Sequence, residues 1–217
     1  MFPRRQFWFP ALVAAAALSM TMLWTAPAHA VDAQGRYTVK GAGLATCGRF
    51  LELAKKGGRE FYMFAGFVHG YLSAANALNP QTYDLVPWQS DKVMINSIVK
   101  VCAKHKEKRF GEILRRLVHS LTPQRLTEYS DLLKVPGDGV APVYREVVFR
   151  MQTQLKARGH YTGEPSSQYD EATLAAMKVF QAQAQLPVTG HADQVTIQRL
   201  FYPRKDAAAA AQPAKTQ

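Results

Sequence analysis

Between Val147 and Leu200 the chain uses one short device twice: an Asp-x-x-Thr step beside an apolar run at helical spacing. Asp170 and Thr173 stand ahead of Leu174, Met177, Phe180 and Gln181. Asp193 and Thr196 stand among Val195, Ile197, Leu200 and Phe201. An aspartate before such a run serves as an N-cap, so each step predicts a helix start. Val147, Val148, Met151 and Leu155 recur at the same spacing upstream, with Pro142 just before them and Gly159 just after. Proline suits a first turn and glycine a helix C-terminus. A loop from His160 to Tyr169 holds Gly163, Pro165 and two serines, and Leu186-Pro187 breaks the second helix. The segment therefore reads as three short helices. Leu155, Phe180, Leu186 and Leu200 belong to its core, Val195 faces inward, and Gly190 serves backbone geometry.

The string Phe180-Gln181, then Leu186-Pro187-Val188-Thr189-Gly190, with Thr173 and Thr196 in phase, resembles the small helical peptidoglycan-binding domain attached to many cell-wall enzymes. The resemblance runs from Tyr144 to about Phe201 and implies a wall ligand. That family usually has an Asp-Gly turn and a further glycine before its first threonine. Here the stretch reads Glu164-Pro165-Ser166-Ser167-Gln168-Tyr169-Asp170, a turn with a different surface. The residues expected at the surface, and so the candidate muropeptide contacts, are Tyr161, Tyr169, Gln181 and Thr196. Tyrosine offers an apolar face and a polar tip to an amino sugar or a stem peptide. The plainer alternative for each is ordinary surface or cap chemistry.

Residues 1–30 read as a secretory signal. Arg4 and Arg5 precede an apolar stretch from Ala11 to Trp24, and Ala28-His29-Ala30 fits the small-x-small cleavage pattern. The stretch is short for a membrane span. Arg4-Arg5 also touches on the twin-arginine pattern, but general secretion fits better. No other stretch approaches membrane length, so the processed chain is expected in the periplasm without a span. With 27 Lys and Arg against 16 Asp and Glu, the net charge is +11. Losing residues 1–30 removes two arginines and no acid, which leaves a strongly basic protein. Such a balance favours acidic partners, and in an exported protein these are wall carboxylates, anionic headgroups or phosphate polymers rather than nucleic acid. The densest basic run, Lys100 to Arg116, reads as a solvated helix face.

The two cysteines, Cys47 and Cys102, lie upstream of this module, each in an apolar-periodic stretch. In an exported chain that suggests one structural disulfide, with a nucleophilic thiol as the competing reading. The surrounding segment reads as helical. Thr46 caps a first helix ending at Gly57-Gly58. A second runs from Phe61 to Leu78, a third begins at Ser90 or Asp91, and a fourth spans Phe110 to Leu121. Thr122-Pro123 is expected to open a last short helix through Leu126, Tyr129 and Leu132. Thr46-Cys47-x-x-Phe50-Leu51, Gly66-Phe67 to Tyr71, and Val101-Cys102 followed by Phe110 resemble the HdeA family of periplasmic acid-stress chaperones, over roughly residues 43–121. That resemblance implies a Cys47–Cys102 bridge and nothing catalytic. An acid switch needs carboxylates that titrate on folding, and this segment is carboxylate-poor.

Known wall-enzyme chemistries find no matching constellation. The histidines from His69 to His191 sit singly, with no His-x-His or His-Glu-x-x-His pattern for zinc, so no metal or other cofactor is expected. His69-Gly70 is not followed by a cysteine in the arrangement a cysteine transpeptidase needs. Glu52, Glu60 and Asp91 lie in predicted helices, in a segment too short for a sugar-cleaving groove. The expectation is an all-α chain of two small helical domains: a disulfide-stapled bundle at 43–133 and a three-helix peptidoglycan-binding-like domain at 143–203. Residues 134–142, with two glycines and two prolines, read as a linker, and 204–217 as a disordered tail. The expected function is non-catalytic peptidoglycan binding that anchors a bundle docking a periplasmic partner or client. The alternatives are an acid-stress chaperone and, last, an accessory part of a wall-remodelling enzyme.

Overall fold

The computed structural model describes residues 32, 34 and 36–202; the expected signal at 1–30 and the tail at 204–217 lie outside them. At the start of the described chain, Asp32 accepts hydrogen bonds from the amides of Gln34 and Arg36, at 3.0 and 2.8 Å. From Val39 to Tyr202 the described residues form one compact unit and are mostly helical. Among the described residues, no helix is long and apolar enough to cross a membrane.

The N-terminal helices form where capping chemistry places them. Helix α1 (Cys47–Lys56) starts at Thr46, whose hydroxyl accepts from the Arg49 amide at 3.2 Å. It stops at Gly57, whose φ of +69° only glycine adopts easily. Helix α2 (Arg59–Leu78) follows directly. Helix α3 (Asp91–Lys104) starts at Ser90, whose hydroxyl accepts from the Val93 amide, and α4 is Phe110–Leu121. Cys47 is bonded to Cys102, joining α1 to α3 across 55 residues. Closing a loop of that length removes enough unfolded-chain entropy to stabilise the fold by about 4 kcal/mol. Around the bridge lies an aromatic core, in which Phe50, Phe64 and Phe110 have ring centroids 4.7–5.6 Å apart.

The helix expected through Leu126, Tyr129 and Leu132 does not form. Only a 3-10 turn, Thr122–Gln124, follows α4. The chain then runs extended, because Leu126 exchanges backbone hydrogen bonds with Asp84 and Tyr83 at 2.8 Å. A non-local pairing here overrides local helix propensity. Leu132–Leu133 (β1) then pairs antiparallel with Val143–Tyr144 (β2).

Helices α5 (Arg145–Ala157), α6 (Glu171–Gln183) and α7 (Gln194–Phe201) make up the C-terminal part. Val147, Val148, Met151, Leu155, Met177, Phe180, Ile197 and Leu200 fill a second core, as their spacing predicts. Two apolar residues depart from that expectation. Val195 points outward at 57% exposure, and Leu186 is only half-buried. The segment expected as a linker is tied down. Val135 is buried in the second core, and the backbone at Gly137 presses on the His191 ring, leaving no room for a Cβ. Trp88, from the loop before α3, joins the same core. Gln194 fastens that loop from α7: its amide donates to Trp88 O at 2.6 Å and accepts from Ser90 N at 2.7 Å. Arg150 fastens the end of the N-terminal helices from α5, donating to Gln124 O and Arg125 O at 2.6 and 3.1 Å.

Candidate functional site

Both Asp-x-x-Thr steps form the caps that the spacing predicts. Asp170 accepts from the Thr173 amide at 2.8 Å and from its hydroxyl at 2.6 Å. Asp193 accepts from the Val195 and Thr196 amides at 3.0 Å and from the Thr196 hydroxyl at 2.6 Å. The hydroxyl bond to the Asp170 carboxylate is the largest influence holding that group below its ordinary pKa.

A buried glutamine on the preceding helix organises each step. Gln152 on α5 accepts from the amides of Ser166 and Ser167 at 2.8 and 3.1 Å. Its NH₂ donates to Gln168 O and to the Thr173 hydroxyl, both at 2.8 Å. Gln181 on α6 repeats the set one loop later. It accepts from Thr189 and Gly190 amides at 2.9 and 2.7 Å, and donates to His191 O and the Thr196 hydroxyl at 3.1 Å. Ser166, Ser167, Gln168, Asp170 and Thr173 thus correspond to Thr189, Gly190, His191, Asp193 and Thr196. The correspondence extends to the backbone, with φ of +60° at Ser167 and +77° at Gly190. Ser167 occupies a left-handed position that glycine fills in the second loop, so the turn survives without its glycine at some strain. At Gly190 glycine is required twice over, since a Cβ would also lie 2.9 Å from Leu174 Cγ.

The phenol of Tyr169 joins the two loops by donating to Gly190 O at 2.7 Å. Burial, with the nearby Asp193 charge, pushes that phenol well above its ordinary pKa, so it stays a protonated donor. Tyr161 lies under the first loop. Its hydroxyl reaches Glu164 O at 3.4 Å, and Gly163 packs against its ring.

The exposure expected of the four candidate contacts is therefore corrected. Gln181 is 0% exposed, Thr196 1% and Tyr161 5%, and Tyr169 is half-buried. Their polar groups face loop backbone and cap atoms, because buried backbone amides and carbonyls require partners. The structure brings Tyr169, Gln181 and Thr196 together around the second loop; Tyr161 stands apart, beneath the first. Sequence reasoning passed over Gln152, although Met151-Gln152 repeats the apolar-Gln order of Phe180-Gln181.

Both cysteines are consumed by the disulfide, which removes the nucleophilic-thiol reading. Among the described residues, no group of three or more His, Cys, Asp or Glu side chains could hold a metal. His69 and Asp91 meet at 3.0 Å, but both side chains are more than half exposed. His160 is held below its ordinary pKa by burial first and by the Arg158 charge second.

No curated protein and no solved structure matches the chain. The HdeA resemblance over residues 43–121 gains no support from these comparisons. Residues 145–200, which span both glutamine-centred loops and all three C-terminal helices, match the family described as a peptidoglycan binding domain.

Proposed function

We propose that this is an exported, non-catalytic peptidoglycan-binding protein in which residues 145–200 hold the wall and the N-terminal helices dock a periplasmic partner. The observation that carries this is the family match over the segment that builds the paired loops. Buried Gln152, Gln181, Thr173 and Thr196 give those loops a fixed shape, which is what a binding surface needs before ligand arrives. Tyr161 and Tyr169 act by holding the loops rather than by reaching outward.

Two further features support the placement. The Cys47–Cys102 bridge suits an oxidising compartment. The charge of +11 suits an acidic polymer such as the wall. Co-sedimentation of the full chain with purified sacculi tests the proposal. Pelleting with the sacculi supports it, and a chain left in the supernatant at low salt overturns it. Export is tested separately, by a periplasmic fraction containing a chain that begins near Val31.

A further inference from the structure

We infer that the cleft between α5, α7 and the end of the N-terminal helices is a sugar subsite, taking an uncharged amino sugar of the wall glycan against Phe149, with the largely buried Trp88 beside it as part of the cleft wall. This rests on the wall-binding reading and extends it to residues outside 145–200. The cleft measures about 400 Å³, within the range of roughly 300–1,000 Å³ common to ligand clefts. Three aromatic side chains line it: Trp88, Phe149 and Phe201. Trp88 and Phe201 lie 5.7 Å apart, centroid to centroid. Phe149 is left 40% exposed on a helix whose other large apolar residues are buried. Gln124, Thr153 and Gln154 supply amides and a hydroxyl around these rings. Aromatic faces accept the C–H face of a pyranose ring, and amides pair with hydroxyl and N-acetyl groups.

Charge selects the ligand class. The charged side chains of the cleft are Glu146 and Arg150, and they satisfy each other at 2.9 Å through Arg150 Nε. The two remaining guanidinium nitrogens donate to Gln124 O and Arg125 O. Glu146 thus matches the Arg150 charge inside the cleft, which leaves no net positive charge to draw the carboxylates of a stem peptide, whereas a neutral sugar needs none. The bonds to Gln124 O and Arg125 O make Arg150 a positioning residue, because they bring Gln124 to the edge of the cleft. Tyr202 donates to the Gln124 side-chain oxygen and lies tilted against Trp88, with ring centroids 6.0 Å apart.

The test uses the processed chain that begins near Val31, in which Trp88 is the single tryptophan and therefore the reporter. The probes are a soluble N-acetylglucosamine oligomer, an acidic stem-peptide fragment and purified sacculi. The expected result is a saturable Trp88 fluorescence change with the oligomer and none with the peptide. Phe149→Ala should weaken both oligomer and sacculus binding by about tenfold, the loss of one stacking contact. Phe149→Tyr should keep binding, and the oligomer should displace the unsubstituted chain from sacculi. Phe149 is surface-exposed, so unchanged unfolding of Phe149→Ala confirms that the loss is local. If Trp88 answers only the peptide, or if sacculus binding survives Phe149→Ala undiminished, the subsite is wrong and wall binding stands. If the unsubstituted chain never pellets with sacculi, the wall-binding reading itself fails, and the subsite with it.

Discussion

Replacing Gln181 by leucine removes a whole hydrogen-bonding centre at nearly constant volume. Gly190 N–H, whose bond to Gln181 is buried, loses its acceptor and has no access to water. An orphaned buried donor costs about 1–3 kcal/mol. Thr189 N–H and His191 O lose partners at part-buried positions and are largely rescued by solvent, at about 0.5 kcal/mol each. The Thr196 hydroxyl keeps Asp193. The expected loss is thus about 3 kcal/mol, with limits of roughly 2 and 4. Gln152→Leu is the internal control. Its loop partners, Ser166 N, Ser167 N and Gln168 O, all lie in part-buried bonds, so the same change should cost about 1–2 kcal/mol. Thermal unfolding followed by circular dichroism, with the disulfide oxidised, measures both. In a chain of this size each kcal/mol shifts the midpoint by about 2–4 °C, so Gln181→Leu should fall by about 6–12 °C. A drop under about 2 °C for Gln181→Leu, or a larger one for Gln152→Leu, refutes the idea that these glutamines organise the loops.

The positive-φ pair gives a second contrast in the same assay. Gly190→Ala meets both a left-handed backbone and Leu174 and should lose about 2–4 kcal/mol, whereas Ser167→Gly, relieved of strain but gaining unfolded-chain freedom, should stay within about 1 kcal/mol of the parent; equal losses would contradict the stated geometry. Reducing Cys47–Cys102 should lower the stability of the N-terminal helices by about 4 kcal/mol, read as a shift in the urea midpoint, and no shift would mean that the bridge constrains little. Asp170 is held below its unfolded pKa of 3.8, so its carboxylate adds stability that is present above that value and lost as the pH falls through the folded pKa. Asp170→Asn should accordingly flatten the acid limb of stability below about pH 4 and leave the rest of the profile parallel; an unchanged acid limb would remove Asp170 from the account.

Local chemistry carried the helices into the sequence. Thr46, Ser90, Asp170 and Asp193 each cap the helix their spacing predicts, and Gly57 and Gly159 take the positive φ expected past helix ends. What the sequence hid depends on contacts between distant segments. Leu126 leaves its helical pattern because Asp84 offers a backbone partner. Trp88 is buried because α5 and α7 lie beside it. Residues 134–142 read as a linker from their glycines and prolines, yet Val135 finds a core to enter. The candidate site was misjudged in one respect. Glutamine and threonine are usually surface residues, so the sequence alone reads Gln181 and Thr196 as exposed. They sit inside because a tight loop has more backbone donors and acceptors than it can pair by itself. The repetition of an apolar-Gln pair before each Asp-x-x-Thr step was the available clue.

The most direct test of the central claim is retention of the full chain on purified sacculi as ionic strength rises. A shaped site predicts retention that changes by less than about threefold between roughly 0.1 and 0.5 M salt, since contacts among buried and neutral groups are screened little. Binding by the net charge of +11 alone would instead fall steeply over that range, and it would contradict a specific wall site in residues 145–200.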